Sequence, residues 1–207
     1  MPRSSPSSTD AESAGSKAAR TRQRLLDAAA TVLSEKGFSG TRLSDIAEKA
    51  HVQAPAIYYY YPSREDLIEE VMFVGAAAMR THLVKALADA PQQTPTERIA
   101  TAVEAHLRNE LELSDYARAI MRNGNQLPDN VSRRALAEVA AYNDIWRSLI
   151  SDLDAVGQLR EGVEPAVARM IVLGGLNWAA EWWDPSRGPI EELIDTTQSM
   201  VLHALRP

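Results

Sequence analysis

The stretch Thr41–Tyr61, TRLSDIAEKAHVQAPAIYYYY, carries the residues whose types and spacing point to chemistry, and that chemistry is contact with duplex DNA. Counted from Leu43, the apolar residues Ile46, Ala50, Val52, Ile57 and Tyr60 fall where a helix-turn-helix needs internal contacts. Ala47 falls where two helices cross and only a small side chain fits. His51 falls in the turn, where a left-handed backbone is usual and His is enriched among non-glycine residues. Such a pair of helices places its second member in the major groove. That helix is predicted from about Gln53 to Tyr60, with Pro55 in its first turn, where a missing N–H costs little.

Other chemistries find no support in the chain. There is no Cys, which excludes disulfides and thiolate zinc sites and fits a reducing cytoplasm. His51, His82, His106 and His203 are scattered without metal-ligand spacing, and no phosphate loop, nucleophile elbow or HExxH occurs. Neither a catalytic site, a metal nor a cofactor is therefore expected, and the acidic residues read as solvated helix faces. No run of about 18 uncharged apolar residues suggests a membrane span, and the N-terminal MPRSSPSSTDAESAGS has no apolar run of the kind a signal peptide needs. The net charge of −6 is unevenly spread: residues 1–62 hold eight Lys/Arg and six Asp/Glu, the rest fourteen and twenty-two. Lys17, Arg20, Arg22 and Arg24 sit at or inside the first helix, where they suit either a solvated face or phosphate contact.

Elements must position these groups. Residues 1–16 are rich in Ser, Ala and Pro and read as a disordered arm. A first helix is predicted over Lys17–Lys36, with Leu25, Leu26, Ala29, Val32 and Leu33 on one face and Gly37 as C-cap. Thr41 is a plausible N-cap for the second helix. Ser63 with Asp66 resembles a capping box opening a helix from Arg64 to about Ala90. Beyond Pro95 the pattern is helical throughout: about 96–113, a short helix after Ser114, about 130–156, 165–183 and 190–205. GNQLPDN and DPSRGP read as loops. The fold class is thus all-α, about nine helices: a DNA-binding head over residues 17–62 and a helical bundle over 63–207.

Residues 22–71 resemble the DNA-binding domain of TetR/AcrR-type transcriptional regulators, through RLLDAAATVLSEKGF, TRLSDIAEKAHV, the aromatic run and PSREDL. The chain departs from the family pattern at His51 for Gly, Gln53 for a capping Ser or Thr, Tyr61 for Phe and Arg64 for Lys. The resemblance implies a cytoplasmic homodimer on a palindromic double-stranded operator, released by a small-molecule effector. It puts Gln53, Ala54, Ala56 and Tyr59 at base edges, with Gln53 suited to adenine and Ala56 to a thymine methyl. Tyr58 and Tyr59 would reach phosphates through their hydroxyls, or pack internally, whereas Tyr60 and Tyr61 belong to the core. Thr41, Arg42 and Arg64 would clamp phosphates.

In this family the last two helices build the dimer interface, which implies Met170, Ile171, Gly174, Gly175, Leu193, Ile194, Thr197, Met200 and Val201, some of them serving the chain's own core instead. Effectors sit among the helices of the bundle, which implies Met121, Tyr142, Trp146, Asn177, Trp178, Glu181 and Trp182, again with core packing as the alternative. The segment LGGLNWAAEWWDPSRGPIEEL resembles a branch that represses fatty-acid or steroid catabolism and responds to acyl-CoA thioesters. It implies an apolar tunnel, with Arg118, Arg122 or Arg169 as candidates to meet phosphates. The competing expectation is a helical binding protein whose head does not read DNA.

Overall fold

The structure, a computed structural model, describes residues 8–113, 115–123 and 127–207, without the side chains of 8–16, Leu113, Met121, Asp129, Asn130, Ser132 and Arg187. Among the described residues there are nine α-helices and no strand. They are α1 Ser8–Gly40, α2 Leu43–Lys49, α3 Ala54–Ile57, α4 Arg64–Ala88, α5 Pro95–Arg108, α6 Asp115–Asn123, α7 Asp129–Ala155, α8 Pro165–Trp182 and α9 Ile190–Leu205. A π-helical turn, Asn109–Leu113, continues α5, and a 3₁₀ turn, Pro185–Arg187, separates α8 from α9.

Helix α1 begins at Ser8, inside the stretch read as a disordered arm, and kinks at Gly37 (φ 70°, ψ 174°), a conformation open to glycine. The Ser63 hydroxyl accepts from the Asp66 N–H at 3.1 Å and donates to the Asp66 carboxylate at 2.6 Å, so the cap of α4 closes on itself. Thr94 and Glu97 form a full capping box on α5. The short helix expected after Ser114 is α6; Ser114 itself, and residues 124–126 of the expected GNQLPDN loop, lie outside the described residues.

Two cores hold the molecule. The first joins α1, α2 and α3 to the front half of α4 and to Ala119, Ile120, Val131 and Ala135. It therefore crosses residue 63, and the head packs against α6 and α7 without a gap. The second gathers the far half of α4, α5, α7, α8 and α9 around Trp146, which is fully buried. Helix α4 runs through both and packs against α1, α5, α6 and α7. By length and composition alone it could cross a membrane, but its apolar residues Leu67, Ile68, Val71, Met72, Leu83 and Leu87 are spent on these two cores. Gly75 lets α6 approach: a Cβ there would come within 2.6 Å of Ile120 Cδ1 and 3.2 Å of the Tyr116 carbonyl oxygen.

Candidate DNA interface and effector site

In the head, α2 and α3 are joined by a turn in which His51 has φ 53°, as its position predicts. Arg24 donates to the carbonyls of Ala50 and His51, which ties the turn to α1. The regular part of the second helix is only Ala54–Ile57; single turns extend it, with Tyr60 and Tyr61 N–H groups both donating to the Ile57 carbonyl at 2.9 Å. This element presents Gln53, Ala56, Tyr58 and Tyr59 to solvent, with Tyr59 83% and Tyr58 59% exposed. Exposed phenols of this size have no core role, which favours the DNA-facing alternative. The Tyr59 ring stands edge-on against Tyr60 at 5.1 Å, so its hydroxyl is aimed outward from a supported ring. Tyr61 is core: burial, the largest influence, pushes its hydroxyl up to about 12, and Arg22 lies over its ring at 5.3 Å.

Several residues expected at DNA face inward instead. Thr41 is 1% exposed and donates to the Gly37 carbonyl at 2.7 Å, closing the bend between α1 and α2, so it is neither phosphate clamp nor N-cap. The N-cap position falls to exposed Arg42. Ala54 is half-buried against the first core. Arg64 donates to the carbonyls of Phe38 and Thr41, each at 3.0 Å, and its guanidinium lies 4.5 Å from the centre of the Phe38 ring. A cation in that setting serves two carbonyls at the bend before it serves a phosphate. Arg22 is likewise engaged, at 2.8 Å from Glu70, which also holds Arg134 at 2.9 Å. Burial works against the Glu70 charge, yet hydrogen bonds from the two arginines outweigh it and hold its carboxyl below the usual range.

These two sets of residues separate in experiment. Tyr59→Ala is expected to weaken operator binding about tenfold, the effect of one or two lost contacts, with no change in melting temperature. Arg64→Ala is expected to lower stability by about 1.5–3 kcal/mol while leaving the salt slope of DNA binding within about one unit. Thermal melts and anisotropy titrations at several salt concentrations check both.

In the bundle, the chemistry gathers on α5 and the π turn. His106 and Glu110 are one helical turn apart and buried, their side chains 1% and 0% exposed, with His106 Nε2 3.7 Å from Glu110 Oε1. The His106 Nδ1 lies 2.8 Å from the hydroxyl of Tyr142, itself buried. Burial pushes the imidazole down to about 4, opposed by a hydrogen bond with Asn177. Burial alone pushes the Glu110 carboxyl up to about 8, so at neutral pH both groups are largely uncharged. Neither Glu110 oxygen accepts a hydrogen bond from a protein group among the described residues. A π turn inside a helix frequently marks a functional position. Glu110 is the buried member of a cleft of about 420 Å³ lined also by Leu111, Glu112, Asp115, Arg118, Ala180, Trp183 and Pro185. A smaller cleft of about 190 Å³ adjoins it, sharing Arg118 and Ala180 and adding Ser34, Arg122 and Glu181.

The pH dependence of folding reports on this pair. Glu110, raised from 4.5 to about 8, contributes stability that is lost as pH rises through that span. His106, lowered from 6.5 to about 4, acts in the opposite sense and only below its ordinary value. Between pH 6.5 and 8 the Glu110 effect therefore stands alone. The melting temperature is expected to fall across that window, and Glu110→Gln to flatten the fall; an unchanged slope in the variant would sink the assignment.

Of the residues expected around the effector, Tyr142 and Trp146 are buried beside His106 and Asn177 reaches it; the Met121 side chain lies outside the described residues. Trp178 and Trp182 do not face this cluster: they lie on the outer side of α8, 64% and 48% exposed, whereas Glu181 lines the smaller adjoining cleft. The buried face of α8 is Ala168, Leu173, Leu176 and Ala179, and Trp178 stands two residues from Leu176, about 200° around the helix. Of the NWAAEWWDP tryptophans, Trp183 lines the cleft. Among phosphate candidates, Arg118 pairs with Asp115 at 2.7 Å, Arg122 donates to the Ser34 carbonyl at 2.9 Å, and Arg169 donates to Asn143 at 2.8 Å. Sequence reading missed His106 and Glu110, although their spacing of four was the available signal.

The outer side of α8 continues as an apolar stripe, Met170, Ile171, Gly174, Gly175, Trp178 and Trp182, beside exposed Met200 of α9. A Cβ on Gly174 or Gly175 would meet no atom within 4 Å, so that face is open to close approach. Leu193, Thr197 and Val201 are half-buried at its edge. Ile194 is 3% exposed and belongs to the second core, not to the interface.

A helix-turn-helix head fused through one long helix to a bundle with a buried polar cluster and an apolar outer face defines an effector-responsive, dimeric DNA-binding regulator. Residues 25–71 match the description "Bacterial regulatory proteins, tetR family", and residues 92–205 match "Tetracyclin repressor-like, C-terminal domain". The chain belongs to the TetR family and is a ligand-responsive transcriptional repressor. It is 23% identical over 167 residues to the fatty acid metabolism regulator protein of Bacillus subtilis (strain 168), covering 77% of this chain and 81% of that protein. It is 29% identical over 150 residues to the HTH-type transcriptional repressor NicS of Pseudomonas putida, covering 71% and 69%. Its fold is similar to that of AibR in complex with isovaleryl coenzyme A and operator DNA, with a TM-score of 0.79, 21% identity, and 90% and 99% of the two chains covered.

Proposed function

We propose that this cytoplasmic repressor contacts its operator through Gln53, Ala56, Tyr58, Tyr59 and Arg42, and is released by an acyl-CoA thioester bound between the π turn, α6 and α8. The observation that carries the effector site is Glu110, a residue in the lining of a cleft of about 420 Å³ whose buried carboxyl makes no hydrogen bond to protein among the described residues. Leaving such a group unpaired costs about 1–3 kcal/mol, which a ligand recovers by pairing with it. Arg118 and Arg122 flank the adjoining cleft, where phosphates of the coenzyme would find cations. Relatives whose names concern fatty acid metabolism and isovaleryl coenzyme A support the ligand class. Release requires that the effector bind the DNA-incompetent arrangement more tightly than the DNA-bound one.

The test is an operator mobility shift on DNA flanking the gene, titrated with acyl-CoAs of graded chain length and with free coenzyme A. At least one thioester should dissolve the complex while free coenzyme A does not. An operator complex insensitive to the whole series defeats the acyl-CoA reading; absence of any complex defeats the DNA-binding one and favours a head that does not read DNA.

A further inference from the structure

The polar cluster under the cleft says more about the effector than its class. An apolar tunnel for an unsubstituted hydrocarbon chain needs no carboxyl in its wall. Here Glu110 belongs to the lining, with its carboxyl 0% exposed behind the cleft surface, 3.7 Å from His106 and without a hydrogen bond to protein among the described residues. The His106 ring beside it is engaged at Nδ1 by Tyr142 at 2.8 Å; the Asn177 side chain also reaches the ring, and Nε2 makes no close hydrogen bond among the described residues. Asn109, also on the π turn and 8% exposed, leaves its Nδ2 unpartnered too. Three side chains on one short stretch thus hold donors and acceptors without hydrogen bonds, and of the three Glu110 alone belongs to the cleft lining.

Resting on the acyl-CoA reading, we propose that the acyl part of the effector carries a hydroxyl group, which docks against Glu110 and His106. A hydroxyl both donates and accepts. It can accept from a protonated carboxyl or from the Asn109 amide, and donate to a carboxyl oxygen or to imidazole Nε2. A keto group accepts only, and a methylene does neither. A carboxylate or phosphate at this position would bring an anion toward Glu112 and Asp115, which share the lining with Glu110. The near-neutral state of both Glu110 and His106 at pH 7 suits an uncharged partner. A site built to pair with a hydroxyl discriminates against the analogue lacking it, because the protein's own polar groups are then stranded.

The experiment uses the full-length protein and two probe series of one chain length. One is a set of hydroxyacyl-CoAs with the hydroxyl at successive carbons, against the unsubstituted acyl-CoA; the other is the corresponding free hydroxy acids against the free fatty acid. Binding is read by calorimetry on wild type, Glu110→Leu and Glu110→Gln. At least one hydroxyl position is expected to bind wild type at least about tenfold tighter than the unsubstituted chain. That advantage should shrink to about twofold or less in Glu110→Leu and be partly kept in Glu110→Gln, which still donates and accepts. Without ligand, Glu110→Leu should melt higher than wild type by about 2–4 °C, since it removes an unpaired buried carboxyl. Should Glu110→Leu fail to fold, His106→Leu replaces it with the same expectation of lost preference.

Equal or tighter binding of the unsubstituted chain to wild type overturns the proposal, as does a hydroxyl preference that survives Glu110→Leu. A hydroxyl preference shown only by the free acids sustains it while removing the coenzyme from the effector. Binding by no member of either series overturns both.

Discussion

Ile171→Glu is expected to convert the protein from dimer to monomer and to weaken operator binding at least about 100-fold, because a two-headed ligand loses its second, effectively intramolecular contact. The argument starts from exposure. Val167, Met170, Ile171, Trp178 and Trp182 on α8, with Met200 on α9, are each between 48% and 69% exposed in the single chain. A contiguous apolar face of that kind marks an interaction surface, and in a homodimer both copies contribute the same patch. Ile171 is the most exposed of the set, between Met170 and Gly174. A carboxylate there must be desolvated twice per dimer, with no cation among its helix neighbours Val167, Ala168, Gly174 and Gly175. Breaking an interface by burying an unpaired charge costs about 3–5 kcal/mol per copy, more than enough to shift a micromolar dimer to monomer. Folding should be untouched, since the site is exposed in the monomer. Light scattering and operator anisotropy on the same preparation check the prediction; a dimeric mass with unchanged affinity would place the interface elsewhere.

The second large effect concerns Asn123, the last residue of α6 and 0% exposed. Where α1 kinks at Gly37, the Phe38 N–H donates outside the helix, to Asn123 Oδ1 at 2.7 Å. The same amide donates to the Leu33 carbonyl at 3.3 Å and the Ala119 carbonyl at 2.8 Å. Phe38 is thereby held at its N–H by α6 and at its carbonyl by Arg64 of α4. The helix that lines the effector cleft and the helix that carries the head meet at one residue. Asn123→Leu strands the Phe38 N–H and removes the amide's bonds to two helix carbonyls, and should cost about 2–4 kcal/mol, several degrees in melting temperature for a chain of this size. The revealing readout is the response to effector. The variant should keep an operator complex at low temperature but need at least about tenfold more effector to dissolve it, a loss of about 1.4 kcal/mol of coupling. A variant that is destabilised yet responds at the wild-type effector concentration would reduce Asn123 to a structural clamp.

Much of the head was legible in the sequence because its constraints are local. The spacing of Ile46, Ala47, Ala50 and Ile57 fits only two short helices crossing closely, and all four are buried. His51 stands where the turn demands a positive φ, and adopts one. The caps at Ser63 and Thr94 act within three residues of themselves. The tyrosines sorted by helical phase, with Tyr58 and Tyr59 out and Tyr61 in.

What periodicity could not decide was which neighbour covers each face. Thr41 and Arg64 looked available to phosphates because both are polar and lie at helix starts. The kink at Gly37 left carbonyls needing donors, and these two side chains supplied them. Trp178 and Trp182 looked like pocket walls because aromatic residues usually seek a core. Helix α8 is apolar on two sides, and only its packing on α5 and α7 determined which side the protein keeps for itself. Glu110 looked like a solvated acid for the opposite reason. Its residue type says surface, whereas its place on a π turn against His106 puts it out of water. A sequence specifies which residues share a face through the fixed geometry of the helix. Whether that face meets solvent, a second chain or a ligand depends on distant segments packing over it, and for this repressor that packing alone separated the surfaces proposed for DNA, for the dimer and for the effector.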